Sequence, residues 1–321
     1  MPAPTDADAR AVLRELRMVD CPLTRLGNAG GFSGAAIWRV AGDVHDWCLK
    51  ALQVNADLGR HGQVAALLRW TRHDRHLDYV PRPRFVSEIA GRVWEMVEWM
   101  PGTADFHANP SDERLRAACV ALARLHRAWE QYPGRRTDTW PCPGVVRRLQ
   151  VAHDFLKLVA GGWRSALAAD PIAPWAERAW AIVRRGVPAA IQELEPWCRA
   201  SVPVHSCICD VWHDHVLFIG DRVTGLIDYG GVKLDNVAAD LARLLGSLVG
   251  NDTRAFARGL AAYEQIRPLS ADERNLVPVL DRTGVVLGIA NWLRWLYFDG
   301  RVYEDRVAVT RRLAALVTRA E

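Results

Sequence analysis

The chain has 321 residues, 50% hydrophobic and 24% charged, which excludes a largely disordered protein and allows one large domain or two lobes. Lys plus Arg exceed Asp plus Glu by 41 − 37 = 4, and the sequence pI is about 8.8. That surplus suits an anionic ligand and falls short of the dense basic face of a nucleic-acid binder. Fourteen Trp against 6 Tyr and 7 Phe imply a large core, an aromatic ligand pocket, or both.

Residues 1–20 carry Asp6, Asp8, Arg10, Arg14 and Glu15 with no apolar core, so they do not read as a signal peptide. The first hundred residues read as strands around one helix. Residues 35–40 and 44–52 are strand-like runs joined by Ala41-Gly42-Asp43, residues 58–72 have helical spacing, and residues 85–88 and 92–100 read as a strand pair after Pro81 and Pro83. Beyond Pro101-Gly102 helices dominate, over 112–132, 145–159, 175–185, 238–249, 253–266, 285–295 and 301–317, with one β-rich island at 202–229. The most apolar run, 285–298, is cut by Arg294, so no membrane partner is expected. Seven scattered cysteines read as reduced thiols of a cytoplasmic protein. The expected architecture is α+β and two-lobed, with a small β-rich lobe (1–100) and a larger, mainly helical lobe (101–321).

The island is the most informative stretch. An Asp ends a short strand at Asp210, a polar loop runs to His215, and a strand over 216–219 turns through Gly220-Asp221-Arg222 into a second strand that delivers Asp228. Two carboxylates are thereby expected at neighbouring ends of a small hairpin assembly. One would act as a base toward a hydroxyl and the other would hold a divalent cation through hard oxygen ligands, the division of labour that phosphoryl transfer needs.

These residues resemble the catalytic core of the aminoglycoside phosphotransferase and choline kinase-like family, relatives of protein kinases. The family pattern is His-Gly-Asp, a few residues, Asn, apolar-Leu-Phe, a Gly-containing turn, and Ile-Asp-Phe/Tyr-Gly. Aligned on Val216-Leu217-Phe218, the resemblance makes Asp210 the catalytic residue and Asp228 the metal ligand, with Asp240-Leu241-Ala242 at the start of the following helix. Leu122-Ala123-Arg124-Leu125-His126 resembles the family's preceding helix. Residues 94–99 with Met100-Pro101-Gly102 resemble the hinge strand, which places Glu98 and Met100 at the nucleotide. Gly30, Gly31 and Gly34 resemble a phosphate-covering loop, and Lys50 stands where the family has its phosphate-contacting Lys. His215 replaces the family's Asn and becomes the second candidate metal ligand, while Ile208-Cys209 replace its His-Gly.

The resemblance implies a nucleotide-binding lobe over 1–100, a catalytic and substrate-binding lobe over 101–321, ATP or GTP, and Mg²⁺ with Mn²⁺ as a substitute. The reaction implied is γ-phosphoryl transfer to a hydroxyl of a small acceptor. A cationic acceptor is suggested by the Trp-rich helical lobe, since Trp faces bind quaternary ammonium groups. The Glu that would pair with Lys50 from the following helix is absent; Gln63 is nearby, and Glu88 and Glu95 lie on later strands. Two other classes stay open at the sequence level: a catalytically silent nucleotide- or metabolite-binding protein, and a zinc-dependent hydrolase built on Cys207, Cys209, His213 and His215.

Overall fold

The computed structural model describes residues 3–27, 34–133, 138–162, 172–303 and 305–321. They form two compact units, one of residues up to Ala121 with Asp214–Gly230, the other of Leu122–His213 with Gly231–Glu321. Division by packing and division by composition at 100/101 therefore differ: residues up to Ala121 and the later segment Asp214–Gly230 pack with the N-terminal strands.

In chain order the first elements are α1 (Asp6–Glu15), β1 (Leu23–Gly27), β2 (Ala36–Val40), β3 (Trp47–Ala51), α2 (Leu58–Thr71), β4 (Pro83–Ile89), β5 (Arg92–Glu98) and α3 (Asp112–Trp129). Then come β6 (Asp138–Pro141), α4 (Pro143–Val159), α5 (Ala173–Leu194), β7 (Ser201–Cys207), β8 (Val216–Ile219), β9 (Arg222–Leu226) and β10 (Lys233–Asp235). Helices α6 (Val237–Val249), α7 (Thr253–Glu264), α8 (Ala271–Leu293) and α9 (Arg306–Ala320) complete the chain.

The first unit is built on an antiparallel sheet of order β1-β2-β3-β5-β4. Period-2 alternation sends Trp38, Val40, Leu49, Ala51, Trp94 and Met96 to one face, where Ala9, Val12 and Leu13 of α1 cover them. Helix α1 is fixed by a Thr5/Asp8 capping box, and the Trp38 indole donates to Asp6 at 2.8 Å. The β8–β9 hairpin joins this unit through backbone bonds between Thr103 and Phe218 and from Leu226 N to Tyr79 O. Gly102 is required at this junction. Its φ is +104°, and a Cβ there would lie 2.7 Å from Phe218 O.

The second unit places the sheet β10-β7-β6 beside helices packed around α8, which contacts α4, α5, α6 and α9. A Ser270/Glu273 capping box starts α8, and Leu276, Leu280, Leu287, Ile289 and Leu293 are buried. Residues Ala271–Phe298 are long and apolar enough to cross a membrane, yet 61% of their most apolar window is buried within the protein.

Candidate active site

Lys50 lies on the sheet face opposite α1, because its neighbours Leu49 and Ala51 take the core face. Its Cα partner on β5 is Glu95, flanked in turn by the core residues Trp94 and Met96. The same pleat parity puts both side chains on one face, with Lys50 Nζ 3.6 Å from Glu95 Oε1. Asp228 adds a second carboxylate, its Oδ1 3.3 Å from Nζ. From α2, His61 Nδ1 donates to Glu95 Oε2 at 3.1 Å, since an ionised carboxylate only accepts. The partner that sequence reading left unassigned is therefore Glu95. Helix α2 supplies a histidine to that carboxylate instead of a carboxylate to the lysine.

Electrostatics follow this geometry. Burial pulls the Lys50 ammonium down, but Asp228 and Glu95 outweigh it and hold its pKa above the ordinary lysine value. Burial pushes Glu95 up, and the His61 hydrogen bond and Lys50 charge bring it below the ordinary value. Lys50 likewise holds Asp228 below the usual range, against burial and with help from His215. Cys48, on the same face, is a thiol pushed up to about 11 by burial.

Asp228 follows β9 with φ 64°, a left-handed conformation that Asp tolerates better than most residues. Arg60 of α2 donates to Gly230 O, and Ile227 N donates to His215 O at 3.0 Å, so the turn is held on both sides. His215 Nε2 lies 3.7 Å from Asp228 Oδ2. The Asp228 side chain is 45% exposed and offers hard oxygens, which fits Mg²⁺, an ion held by one or two carboxylates plus water and phosphate oxygens. The imidazole of His215 suits that ion poorly, and its position beside the carboxylate fits a role in orienting Asp228.

Asp210 belongs to the second unit, and its loop is set by a buried carboxylate. Asp240 of α6, fully buried, accepts from Ile208 N at 2.7 Å and Cys209 N at 2.6 Å. Cys209 has φ 61°, and this left-handed turn aims the following Asp210. His126 of α3 donates through Nε2 to Asp240 at 3.0 Å, and its Nδ1 meets the Tyr263 hydroxyl at 2.8 Å. Gly231 closes against the loop: a Cβ there would lie 2.7 Å from Ile208 O and 3.0 Å from Asp210 Cβ. Arg243 of α6 pairs with Asp210 at 2.5 Å, and Arg312 of α9 lies 3.8 Å over the Trp212 ring. Sequence reading placed Asp240 at a helix start but missed that it grips the loop, and it missed Arg243 altogether. Their spacing on α6, one turn apart nearly, is the signal that links them.

Gly30 and Gly31 lie outside the described residues, and Gly34 has φ +72° with open space around it. Met100 is buried. The Glu98 carboxylate accepts from Arg82 N at 3.2 Å and neighbours Arg72 and Arg82, so its side chain is engaged within the first unit. The proposed four-residue zinc set is not brought together. Among the described residues, Cys207 converges instead with buried His126 and Asp240, whose nitrogens and oxygens are already taken. Cys207 and Cys209 are thiols raised by burial, donating to Asp235 O and Asp235 Oδ2. Several Trp faces are also occupied internally: Arg84 covers Trp47, Arg39 covers Trp99, Arg178 covers Trp175 and Arg301 covers Trp295. Trp129 and Trp292 are buried in the core, while Trp140 is exposed.

A family profile described as phosphotransferase enzyme family matches residues 24–276. The homoserine kinase of Beijerinckia indica subsp. indica is 28% identical over 218 residues, covering 66% of this chain and 61% of that protein. The homoserine kinase of Mesorhizobium japonicum is 29% identical over 204 residues, covering 61% and 56%. The chain thus spans about three-fifths of the length of these curated relatives. Among solved structures, a spectinomycin phosphotransferase in complex with ADP and spectinomycin matches with a TM-score of 0.69 at 12% identity, over 97% of each chain. A macrolide 2'-phosphotransferase from Brachybacterium faecium matches with a TM-score of 0.56 at 15% identity, over 96% of this chain and 98% of that one. The α+β, protein kinase-like fold implied by the motif resemblance is thereby established.

Proposed function

The chain belongs to the phosphotransferase enzyme family, and from that premise we propose that it moves the γ-phosphoryl group of ATP or GTP to a hydroxyl of a small-molecule acceptor. The observation that carries this reading is the placement of Lys50 between Glu95 on the same sheet face and Asp228 from the turn after β9, a cation held against a hard-oxygen carboxylate. In it, residues 1–100 serve the nucleotide and residues 101–321 serve catalysis and the acceptor, in a cytoplasmic protein.

Lys50 donates to phosphate oxygens, and Glu95 with His61 keeps its ammonium extended from β3. Asp228 would hold Mg²⁺ or Mn²⁺, with His215 orienting its carboxylate; that ion, when bound, neutralises charge on the phosphate oxygens. Asp210 accepts the proton of the acceptor hydroxyl as that oxygen bonds to phosphorus, and the nucleoside diphosphate leaves with the electron pair of the broken P–O bond. The rigid grip of Asp240 on Ile208 N and Cys209 N keeps Asp210 at a fixed position for that step.

By their names the curated relatives act on homoserine, which makes homoserine the first acceptor to assay, followed by choline and an aminoglycoside. A catalytically silent binding protein is the competing reading, and the Arg243 guanidinium seated on Asp210 is the observation on its side. Nucleoside diphosphate release in the presence of Mg²⁺ separates the two. Asp210→Asn is expected to lower kcat by about 100-fold or more while leaving nucleotide binding in place. Nucleotide binding by the unaltered protein without turnover on any acceptor would favour the silent reading.

A further inference from the structure

Arg243 of α6 pairs with Asp210 inside the second unit, its Nη2 donating to Asp210 Oδ1 at 2.5 Å. Both side chains are half exposed, Asp210 at 46% and Arg243 at 40%, a setting in which an ion pair adds little to folding. Asp210 does not need the guanidinium to hold its place. Asp240 already fixes the loop through Ile208 N and Cys209 N, and Gly231 closes against Asp210 Cβ. Arg243 lies three residues after Asp240, so the carboxylate that grips the loop and the cation beside the base share one helix. Among the described residues Asp210 is the one hydrogen-bond partner of Arg243, which leaves the other N–H groups of the guanidinium for a further acceptor.

Phosphoryl transfer asks for cations at the transferring group. Its loose transition state spreads charge over three equatorial oxygens, and one well-placed arginine is worth about 10³–10⁵ in rate. Residues 201–221, which include the loop, contain neither Lys nor Arg. A cation for the loop therefore comes from another element, and Arg243 is in direct contact with the base. An acceptor oxygen that gives its proton to Asp210 lies within hydrogen-bond distance of that carboxylate, and the phosphorus must reach bonding distance of the same oxygen. The equatorial oxygens are thereby brought beside a guanidinium that already touches Asp210. A cation on a base has two opposing consequences: it weakens the carboxylate as proton acceptor, and it offers charge to the phosphoryl oxygens. In a loose transition state the bond to the acceptor oxygen is only slightly formed, so the second effect outweighs the first.

We propose that Arg243 is a further catalytic residue, whose guanidinium donates hydrogen bonds to the equatorial oxygens of the transferring phosphoryl group while Asp210 takes the acceptor proton. No proton leaves Arg243. The acceptor oxygen loses its proton to Asp210 and gains the bond to phosphorus, and the nucleoside diphosphate departs with the electron pair of the broken P–O bond. This assignment rests on the phosphotransfer reading, and it gives the Arg243–Asp210 contact a role in an active enzyme.

The test pairs turnover with a transition-state mimic on the full chain. ADP release from ATP with Mg²⁺ is measured with water and with homoserine as acceptors. ADP binding is measured by calorimetry with and without aluminium fluoride, whose complex stands in for the transferring group. In Arg243→Gln, kcat is expected to fall by about 100-fold or more, with nucleotide KM changed by less than about 3-fold. ADP alone should bind the variant and the unaltered chain alike, while the tightening given by aluminium fluoride should shrink by about 10-fold or more in the variant. Arg243→Lys keeps the charge without the planar fork and should recover part of kcat. The assignment is overturned if Arg243→Gln turns over as fast as the unaltered chain, or faster, which would make the pair a brake on Asp210. Equal tightening of ADP by aluminium fluoride in both proteins overturns it as well. If Arg243→Gln does not fold, Arg243→Lys carries the test, with a lower kcat at unchanged ADP affinity expected and an unchanged kcat against it. Absence of nucleotide binding in the unaltered chain sinks the phosphotransfer reading and this assignment together. Nucleotide binding with neither turnover nor tightening by aluminium fluoride does the same, whereas turnover indifferent to Arg243 sinks the assignment alone.

Discussion

Lys50 in the first unit and Asp210 in the second are positioned in opposite ways. Lys50 is held by opposite charge, between Glu95 and Asp228, on a sheet face chosen by strand pleat. Asp210 is held by its backbone, through a buried carboxylate that binds the two preceding N–H groups. The first arrangement can re-form around a phosphate, because a side chain on a strand can exchange one oxygen partner for another. The second cannot move without unmaking buried hydrogen bonds. Under the proposed function, a binding cation would sit on adaptable electrostatics and a base on fixed geometry, which suits positioning-dominated phosphoryl transfer.

The sharpest way to break this contrast is Asp240→Ala. It leaves Ile208 N, Cys209 N and His126 Nε2 without their acceptor in the interior, so about 3–5 kcal/mol of stability should be lost, together with most turnover. Urea unfolding followed by circular dichroism measures it. A loss below about 1 kcal/mol would mean that the loop is held by something else.

Gly231→Ala comes next. The new Cβ would press on Ile208 O and Asp210 Cβ, so the loop must shift; about 1–3 kcal/mol of destabilisation and a fall in kcat without a rise in nucleotide KM are expected. Steady-state kinetics against both substrates would show whether the effect is confined to the base.

The smallest effect is expected from Glu95→Gln, since Lys50 keeps Asp228 and the amide keeps a contact with His61. About 1–2 kcal/mol and a few-fold weaker nucleotide binding are expected. Its pH dependence is more diagnostic. Glu95 and Asp228 sit below their ordinary values of 4.5 and 3.8, so their pairing stabilises the fold above those values and is lost as pH falls through the depressed ones. Lys50 sits above its ordinary 10.5, so its contribution is present below that pH and is lost only as pH rises through the elevated value. Stability from this network should be flat between about pH 5 and 10, with an acid limb that is shallower in Glu95→Gln. Thermal melts across that range would show it, and identical acid limbs would contradict the pairing.

Much of the candidate site was legible in the sequence because it depends on local pattern. The hairpin that delivers Asp228, the strand that carries Lys50 and the helix after Asp240 each announce themselves through period-2 or helical spacing. What escaped depends on tertiary pairing. Glu95 meets Lys50 only through cross-strand register, although the core residues on either side of each already placed both on one face. Strand β10 is three residues long and exists through its pairing with β7. Helices α5 and α8 run further than the spacing suggested, through Pro188 and Pro278, because packing around α8 outweighs the cost of proline in a helix. Helix α1 passed unassigned, yet it covers the sheet face that forces Lys50 to the other side.

The central claim is that the Lys50–Asp228 pair is a polyphosphate site. Calorimetric titration of ATP with Mg²⁺ into the unaltered chain, Lys50→Met and Asp228→Ala tests it directly. Binding in the unaltered chain that weakens by about 10-fold or more in Lys50→Met, and loses its Mg²⁺ dependence in Asp228→Ala, is the expected result. Equal affinity in all three proteins, or no nucleotide binding in the unaltered chain, would contradict it.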